Sequence, residues 1–240
     1  MSNDKKLSES QKIHQNKIFK DNEKAKKGEK LLKLAIKIFM KKFKEKYCDV
    51  SINLNYKKEL SQAFIVNETQ KYFGLNHSYI ENKKSHIKPD GGTFFYDLDT
   101  QKNMTINSGL LFASEYKKQG DGKDQSMGNA IERAHKNFNE YKLASSNMPY
   151  CLYFIFCSGT DFKTGSSIKD RLTAITLKRP FNKTYYEKLK GHCSASVYVK
   201  ENSWTTKEMS DIIFDGVCKV IDSYLIKDKF NEGFKFDEFN

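Results

Sequence analysis

Two stretches of this chain, TFFYDL (residues 93–98) and LLFASEY (residues 110–116), are rich in aromatic and other β-favouring residues. A polar connection that includes residues 99–103 separates them. Two such runs on either side of a polar connection are typical of an antiparallel hairpin. We therefore expect two antiparallel neighbouring strands here.

The residues with catalytic potential gather around this hairpin. The chain's one Pro-Asp pair, Pro89-Asp90, opens the first strand, and the second strand ends in Glu115-Tyr116-Lys117. With a turn centred between residues 101 and 102, position 90 pairs with position 113. The two-residue period of a strand then places Asp90, Glu115 and Lys117 on one face. A slip of one residue would separate them.

Two carboxylates on one face repel each other unless a cation lies between them. Proteins bind Mg²⁺ with one or two carboxylates, waters and substrate phosphate oxygens, and the ion offsets the charge that grows on an attacked phosphate. Lys117 would stand beside the attacking water, as a charge that lowers the pKa of the water, as the group that positions it, or as a base. This pattern predicts a magnesium-dependent site that cuts phosphodiesters.

The alternative is an exposed hairpin whose charges form ordinary cross-strand pairs. The chain has 30 acidic and 42 basic residues, nearly all of the latter lysine. About five acid-x-Lys triplets are expected by chance in such a chain, so the triplet gains its weight from its place in the hairpin.

The other patterns place helices and further strands around the hairpin. Amphipathic spacing predicts helices over residues 31–47, 126–143 and 205–225, with a shorter helical stretch over residues 60–64. Apolar runs predict strands over residues 50–54, 150–157, 172–177 and 194–199, and the run at 150–157 is expected to be buried on both faces. This order predicts an α/β protein in which α-helices flank a mixed central β-sheet.

The first 30 residues differ from the rest in composition. They hold almost no large apolar side chains and are dense in Lys, Ser, Asn and Glu, so they cannot bury enough surface to order themselves alone. We expect residues 1–30 to form a basic, mobile arm. Residues 31–240 are expected to form a single nuclease domain with integrated DNA recognition.

Charge and hydropathy narrow the class of partner. The net charge of +12 and the pI near 9.2 favour an anionic partner, either nucleic acid or a membrane surface. No apolar run approaches the roughly 20 residues that span a bilayer, and the amino terminus lacks an apolar export signal, so we expect a soluble, cytoplasmic protein. The five cysteines include no Cys-x-x-Cys pair, so reduced thiols are expected and a zinc site is not.

Arginine is rare and therefore informative. The only arginines among the 42 basic residues are Arg133, Arg171 and Arg179. Each is therefore expected where the planar guanidinium, which donates two parallel hydrogen bonds, is needed to bind a base edge or a phosphate. Arg133 follows Asn129 by one helical turn, so both project from one side of the predicted helix, and Asn can pair bidentately with adenine. The alternative is a solvated face with Asn129 as a cap. The opposite, core-facing stripe is predicted to hold Ile131, Ala134, Phe138 and Tyr141.

Several motifs occur together, and in order, over roughly residues 86–225. They are IKPDGG (residues 87–92), the Glu-x-Lys triplet that runs into Gln119-Gly120, GNAIER (residues 128–133) followed by His135-Lys136-Asn137, DRLTA (residues 170–174), ASVY (residues 195–198) and residues 204–209. This set closely resembles EcoRI-type restriction endonucleases of the PD-(D/E)xK nuclease superfamily. Residues 1–85 resemble that family only weakly.

The resemblance implies a restriction-endonuclease-like fold. It also implies a homodimeric type II restriction endonuclease that cuts palindromic double-stranded DNA with Mg²⁺, leaves 5′-phosphates and needs no nucleotide cofactor. It implies that Asp90 and Glu115 hold the metal, with the Tyr116 carbonyl as a further ligand, and that Lys117 is the catalytic lysine.

The resemblance also implies which residues read the DNA. Glu132 matches a residue that links recognition to the active site across the dimer, and the Gly-Asn-Ala-x-Glu-Arg element accompanies an AATT core in that family. DNA contacts are implied for Gln119, Asn129, Ala130, Arg133, Lys136 and Arg171.

Two departures from the family pattern bear on specificity. Ile168 stands where readers of GAATTC carry an arginine, so the outer base pair is expected to be read differently, degenerately or not at all. The loop between Lys118 and Gly128 is also shorter than its counterpart, which puts a DNA-wrapping role for this region in doubt.

Two other functions fit the same residues. A structure-specific repair or junction-resolving nuclease would use the same active site but read the shape of the DNA. A catalytically silent DNA-binding protein would bind tightly without forming product.

Overall fold

The computed structural model of the chain describes residues 9–50, 52–74, 86–98, 108–118, 127–144, 151–160 and 193–233. In chain order the elements are α1 (Glu9–Lys46), β1 (Ile52–Lys57), β2 (Leu60–Ser61), α2 (Gln62–Phe73), β3 (His86–Ile87), β4 (Thr93–Leu98), β5 (Ser108–Lys118), α3 (Met127–Ala144), β6 (Cys151–Ser158), β7 (Cys193–Lys200) and α4 (Thr206–Gly233). The strand predicted over residues 172–177 lies outside these ranges. None of the helices within them combines the length and the apolar character needed to cross a membrane.

Five strands form the central sheet in the order β1-β4-β5-β6-β7. β1, β4 and β5 pair antiparallel, whereas β5, β6 and β7 pair parallel. The predicted mixed sheet and the predicted hairpin of β4 with β5 are therefore confirmed. β2 and β3 form a separate two-stranded antiparallel ribbon.

Helices cover both faces of this sheet, as predicted. β6 shows the division most clearly, because its side chains alternate between two apolar cores. Phe154 and Phe156 pack into the core shared with α1 and α4. Tyr153 and Ile155 pack into the core shared with α2 and α3. The prediction that this strand is buried on both faces is confirmed.

The apolar stripe predicted for the first helix is buried along α1. Its members Leu32, Ile36, Phe39, Phe43 and Tyr47 all belong to the core beneath α4 and the sheet. The predicted start at residue 31 is wrong, because α1 begins at Glu9. The division into an arm over residues 1–30 and a nuclease domain over residues 31–240 stays a prediction.

The starts of two other helices also differ slightly from the prediction. Residues 60 and 61 form β2, and α2 begins only at Gln62, where the Ser61 hydroxyl accepts a hydrogen bond from Phe64 N at 3.1 Å. α4 begins at Thr206, preceded by Thr205 as its capping residue. Thr205 Oγ1 accepts from Glu208 N at 3.2 Å, and Glu208 Oε2 accepts from Thr205 N at 3.0 Å. This reciprocal pair is a capping box.

The pairing of β4 with β5 differs from the predicted register. Thr93, and not position 90, lies opposite Ala113, and the register shifts between Phe94 and Phe95 because β5 contains a bulge. Asp90 lies outside β4, in the turn that precedes it. The predicted pairing of position 90 with position 113 is therefore wrong.

Candidate active site

β5 presents Glu115 and Lys117 on the face of the sheet that α3 covers. The two residues alternate with Tyr116, and Ala113, on the same face as Glu115, belongs to the core that includes α3. The Glu115 side chain is 1% exposed and the Lys117 side chain is 18% exposed. β5 therefore brings a carboxylate and an amine together within a mostly buried site near the end of the strand.

A tight turn before β4 brings Asp90 to the same place. Gly92 N donates a hydrogen bond to Pro89 O at 3.0 Å, and Gly92 has a φ of 77°, a conformation that favours glycine. Gly91 N donates to Ser114 O at 2.9 Å, which ties the turn to β5. Asp90 thus approaches the end of β5 from a turn, without being a member of the hairpin ladder.

The three predicted catalytic side chains lie together. Lys117 Nζ is 2.5 Å from Glu115 Oε2 and 3.7 Å from Asp90 Oδ2. Asp90 Oδ2 also accepts a hydrogen bond from Tyr116 N at 3.0 Å, so the main chain between Glu115 and Lys117 holds the third side chain in place. The ammonium therefore lies between two carboxylates.

Burial and charge shift the ionisation of this cluster. Burial raises the pKa of Asp90; the Lys117 ammonium lowers it and the Glu115 charge raises it, and the pKa stays above its ordinary value. Burial alone would lower the pKa of Lys117, but the charges of Glu115 and Asp90 outweigh this effect and hold the pKa above its ordinary value. Lys117 is therefore an ammonium ion at neutral pH in this structure.

Two residues that sequence reasoning did not assign contact Glu115 or lie beside it. Asn137 Nδ2, from α3, donates a hydrogen bond to Glu115 Oε1. Tyr153, on β6, lies close enough that the Glu115 charge, after burial, raises the pKa of its phenol well above the ordinary value. Asn137 stands within the motif that carries the family resemblance, but the spacing along the chain gives no sign that it reaches β5.

The donor set is suited to a hard divalent cation. Asp90 and Glu115 supply carboxylate oxygens, and the Tyr116 carbonyl belongs to the residue between Glu115 and Lys117. Glu115 Oε2 is buried, makes no hydrogen bond of good geometry within the described ranges, and lies 2.5 Å from Lys117 Nζ. No group of three or more His, Cys, Asp or Glu side chains that could hold a metal occurs among the same residues. A divalent cation at this site would therefore be held by the two carboxylates together with oxygen atoms of the main chain, water or substrate.

The structure describes the remaining predicted site residues only in part. Gln119 and Arg171 lie outside the described ranges, and the side chains of Asn129, Ala130, Glu132 and Arg133 are likewise not described, although their backbone belongs to α3. Lys136, on the same helix, is exposed, and its Nζ lies 3.7 Å from Glu140 Oε1. Of the predicted core stripe of α3, Phe138 and Tyr141 are buried, which confirms that part of the prediction.

Comparison with known proteins gives a consistent result. The profile of the family described as "Restriction endonuclease EcoRI" matches residues 14–169, which is more than half of the chain and extends well upstream of residue 86. The chain is 29% identical to "Type II restriction enzyme RsrI" of Cereibacter sphaeroides over 176 aligned residues, covering 54% of this chain and 61% of the relative. It is 30% identical to "Type II restriction enzyme EcoRI" of Escherichia coli over 179 aligned residues, covering 55% of this chain and 62% of the relative. The chain thus spans about three fifths of the length of these curated relatives.

Proposed function

Because the chain belongs to the EcoRI family of restriction endonucleases, we propose that it is a type II restriction endonuclease that hydrolyses double-stranded DNA at a palindromic site. The observation that best supports this proposal is the cluster of Asp90, Glu115 and Lys117, which the fold assembles from a turn and a strand end. Mg²⁺ is the proposed cofactor, and Asp90, Glu115 and the Tyr116 carbonyl would hold it. When bound, the ion supplies positive charge that offsets the negative charge growing on the attacked phosphate.

The protein's own residues account for the remaining requirements of the reaction. Lys117 holds its ammonium between the carboxylates of Asp90 and Glu115. A positive donor there can orient a water nucleophile and stabilise the charge of the transition state. Attack by water on phosphorus, with cleavage of the bond to the 3′ oxygen, leaves 5′-phosphate ends.

Recognition is proposed to come from α3 and its surroundings. Gln119, Asn129, Ala130, Arg133, Lys136 and Arg171 would contact the DNA, and Glu132 would link recognition to cleavage across a homodimer. The two-fold symmetry of such a dimer matches a palindromic site, and we propose that this site contains AATT. The net charge of +12 supports attraction to the phosphate backbone. We place the enzyme in the cytoplasm, where it would encounter both host DNA and foreign DNA.

Digestion of a sequenced plasmid tests this proposal directly. The full chain is incubated with supercoiled plasmid and Mg²⁺, and the ends are mapped by run-off sequencing, with Asp90→Asn as the matched inactive control. We expect cuts at a few fixed palindromes that share AATT, with 5′-phosphate ends that a ligase can rejoin. Random nicking, cutting confined to branched DNA, or tight binding without any product would each contradict the proposal.

A further inference from the structure

Asn137 joins α3 to the buried end of β5. Its side-chain amide donates a hydrogen bond to Glu115 Oε1, and Glu115 is only 1% exposed. The next residue of α3, Phe138, is buried in the core that this helix shares with the sheet, and so is Tyr141. The helix therefore packs against the sheet directly behind Glu115.

A buried carboxylate needs partners for both of its oxygens, because an unpartnered charge in a low-dielectric environment is costly. Asn137 satisfies Oε1, and Oε2 is left facing the Lys117 ammonium at 2.5 Å. A rotation of the carboxylate about its terminal bond would break the hydrogen bond to the amide. Asn137 therefore restrains the orientation of the Glu115 carboxylate, and with it the direction in which the second oxygen faces Asp90 and Lys117.

The same helix carries the segment proposed to contact bases. Residues 129–133 and Asn137 belong to one uninterrupted α-helix, and Asn137 follows Arg133 by four residues, or about one turn. Because a helix moves as a unit over such a distance, a displacement of α3 also displaces the amide that holds Glu115.

We propose that Asn137 is a positioning residue that orients the Glu115 carboxylate for metal binding and thereby makes metal binding sensitive to where α3 lies. The role of Asn137 in cleavage rests on the proposed function, whereas its effect on the orientation of the Glu115 carboxylate does not. Hydrogen bonds from outside the set of metal ligands orient those ligands, and their loss usually costs about 10- to 100-fold in metal affinity or activity.

The test uses the full chain and two variants at this position. Asn137→Leu keeps the approximate shape of the side chain and removes the donor, and Asn137→Ala serves if the leucine variant fails to fold. Asn139→Leu is the matched control, because Asn139 is exposed on the same helix two residues further along. For each protein, Mn²⁺ binding is measured by calorimetry, duplex binding is measured in EDTA, and cleavage is measured as a function of Mg²⁺ concentration.

We expect loss of the amide to weaken Mn²⁺ binding and to raise the half-saturating Mg²⁺ concentration by about 10- to 100-fold. Duplex binding in EDTA should change little, and the Asn139 variant should behave like the parent. Unchanged Mn²⁺ affinity would overturn the inference. Equal losses of duplex binding and cleavage would also overturn it, because they would make Asn137 a DNA contact.

Failure of the proposed function gives a different result. A parent protein that cuts no DNA, yet binds Mn²⁺ with an affinity that depends on Asn137, would refute the nuclease and leave the positioning role standing. A parent protein that neither binds Mn²⁺ nor cuts DNA would refute both.

Discussion

Asp90 Oδ2 accepts a hydrogen bond from Tyr116 N at 3.0 Å, although Asp90 precedes β4 and Tyr116 lies near the end of β5. The donor is the main-chain amide between the two other members of the cluster, Glu115 and Lys117. A backbone amide cannot change rotamer, so it fixes the Asp90 carboxylate relative to both neighbours. The geometry of the cluster therefore depends on the turn that carries Asp90.

Gly91→Ala should disrupt this turn. An added Cβ would lie 2.1 Å from Ser114 Oγ and 3.1 Å from Leu32 Cδ2, so the turn or its neighbours must move. We expect the free energy of unfolding to fall by about 1–3 kcal/mol, as for other overpacked sites. Cleavage should fall by about 100-fold, because a misplacement of about 1 Å at a reacting group has that effect. Urea denaturation and single-turnover cleavage measure the two effects.

Ser114→Ala provides the control for this prediction. The Ser114 hydroxyl is buried without a hydrogen-bond partner among the described residues, so its removal alone should cost little stability. In the double variant it should restore part of what Gly91→Ala loses, because the closest clashing atom is gone. Strictly additive effects would show that the two residues do not interact.

Part of this site could be predicted from sequence, and the rest could not, for physical reasons. The residues Asp90, Glu115 and Lys117 are brought together as predicted, but the strand register that led to this prediction is wrong. A bulge in β5 and a turn around Gly91 replace the regular ladder, and both depend on packing that a two-residue period does not reveal.

The start of α1 also differs from the prediction because of tertiary contacts that the sequence pattern does not reveal. The spacing of apolar residues predicts a helix from residue 31, whereas α1 begins at Glu9. Gly28 packs so closely on Tyr116 that a Cβ there would lie 2.2 Å from the ring. Such a contact between remote segments is set by tertiary structure, which overrides local propensity. The hydrogen bond from Asn137 to Glu115 was missed for the same reason.

Lys136→Ala should weaken DNA binding by removing one phosphate contact. The plot of log association constant against log salt concentration should lose about one unit of slope, roughly independent of DNA sequence. Lys41→Ala is the matched control, because each lysine is exposed and pairs with a glutamate one turn later, Lys136 with Glu140 at 3.7 Å and Lys41 with Glu45 at 3.8 Å. Equal changes of slope in both variants would show that Lys136 on α3 contributes no more to DNA binding than an exposed lysine on α1.

Thr205→Ala should destabilise the protein by removing the cap of α4. The hydroxyl accepts from Glu208 N at 3.2 Å, and loss of such a cap typically lowers the free energy of unfolding by about 1 kcal/mol. Thr206→Ala, one residue into the helix, should have a much smaller effect. Urea denaturation measures both, and an equal loss in the two variants would argue against the capping role.

The same capping box predicts a dependence of stability on pH. Hydrogen bonds from Lys200, and then from Thr205, lower the pKa of Glu208 from 4.5 to about 2. A carboxyl group with a lowered pKa in the folded state contributes stability above its ordinary pKa and loses it as the pH falls through the folded value. The difference in free energy of unfolding between the parent and Glu208→Gln should therefore shrink as the pH falls from about 5 to about 2. A difference that stays constant would show that the charge of Glu208 contributes nothing.

The proposal on which the others depend is that Asp90, Glu115 and Lys117 form one catalytic site for DNA cleavage. Its most direct test is the single-turnover cleavage rate of Glu115→Gln and of Lys117→Ala on the mapped site with Mg²⁺, alongside duplex affinity in EDTA. Each substitution should lower the rate by at least about 100-fold while affinity changes only a few-fold. Cleavage by either variant at close to the parent rate would contradict it.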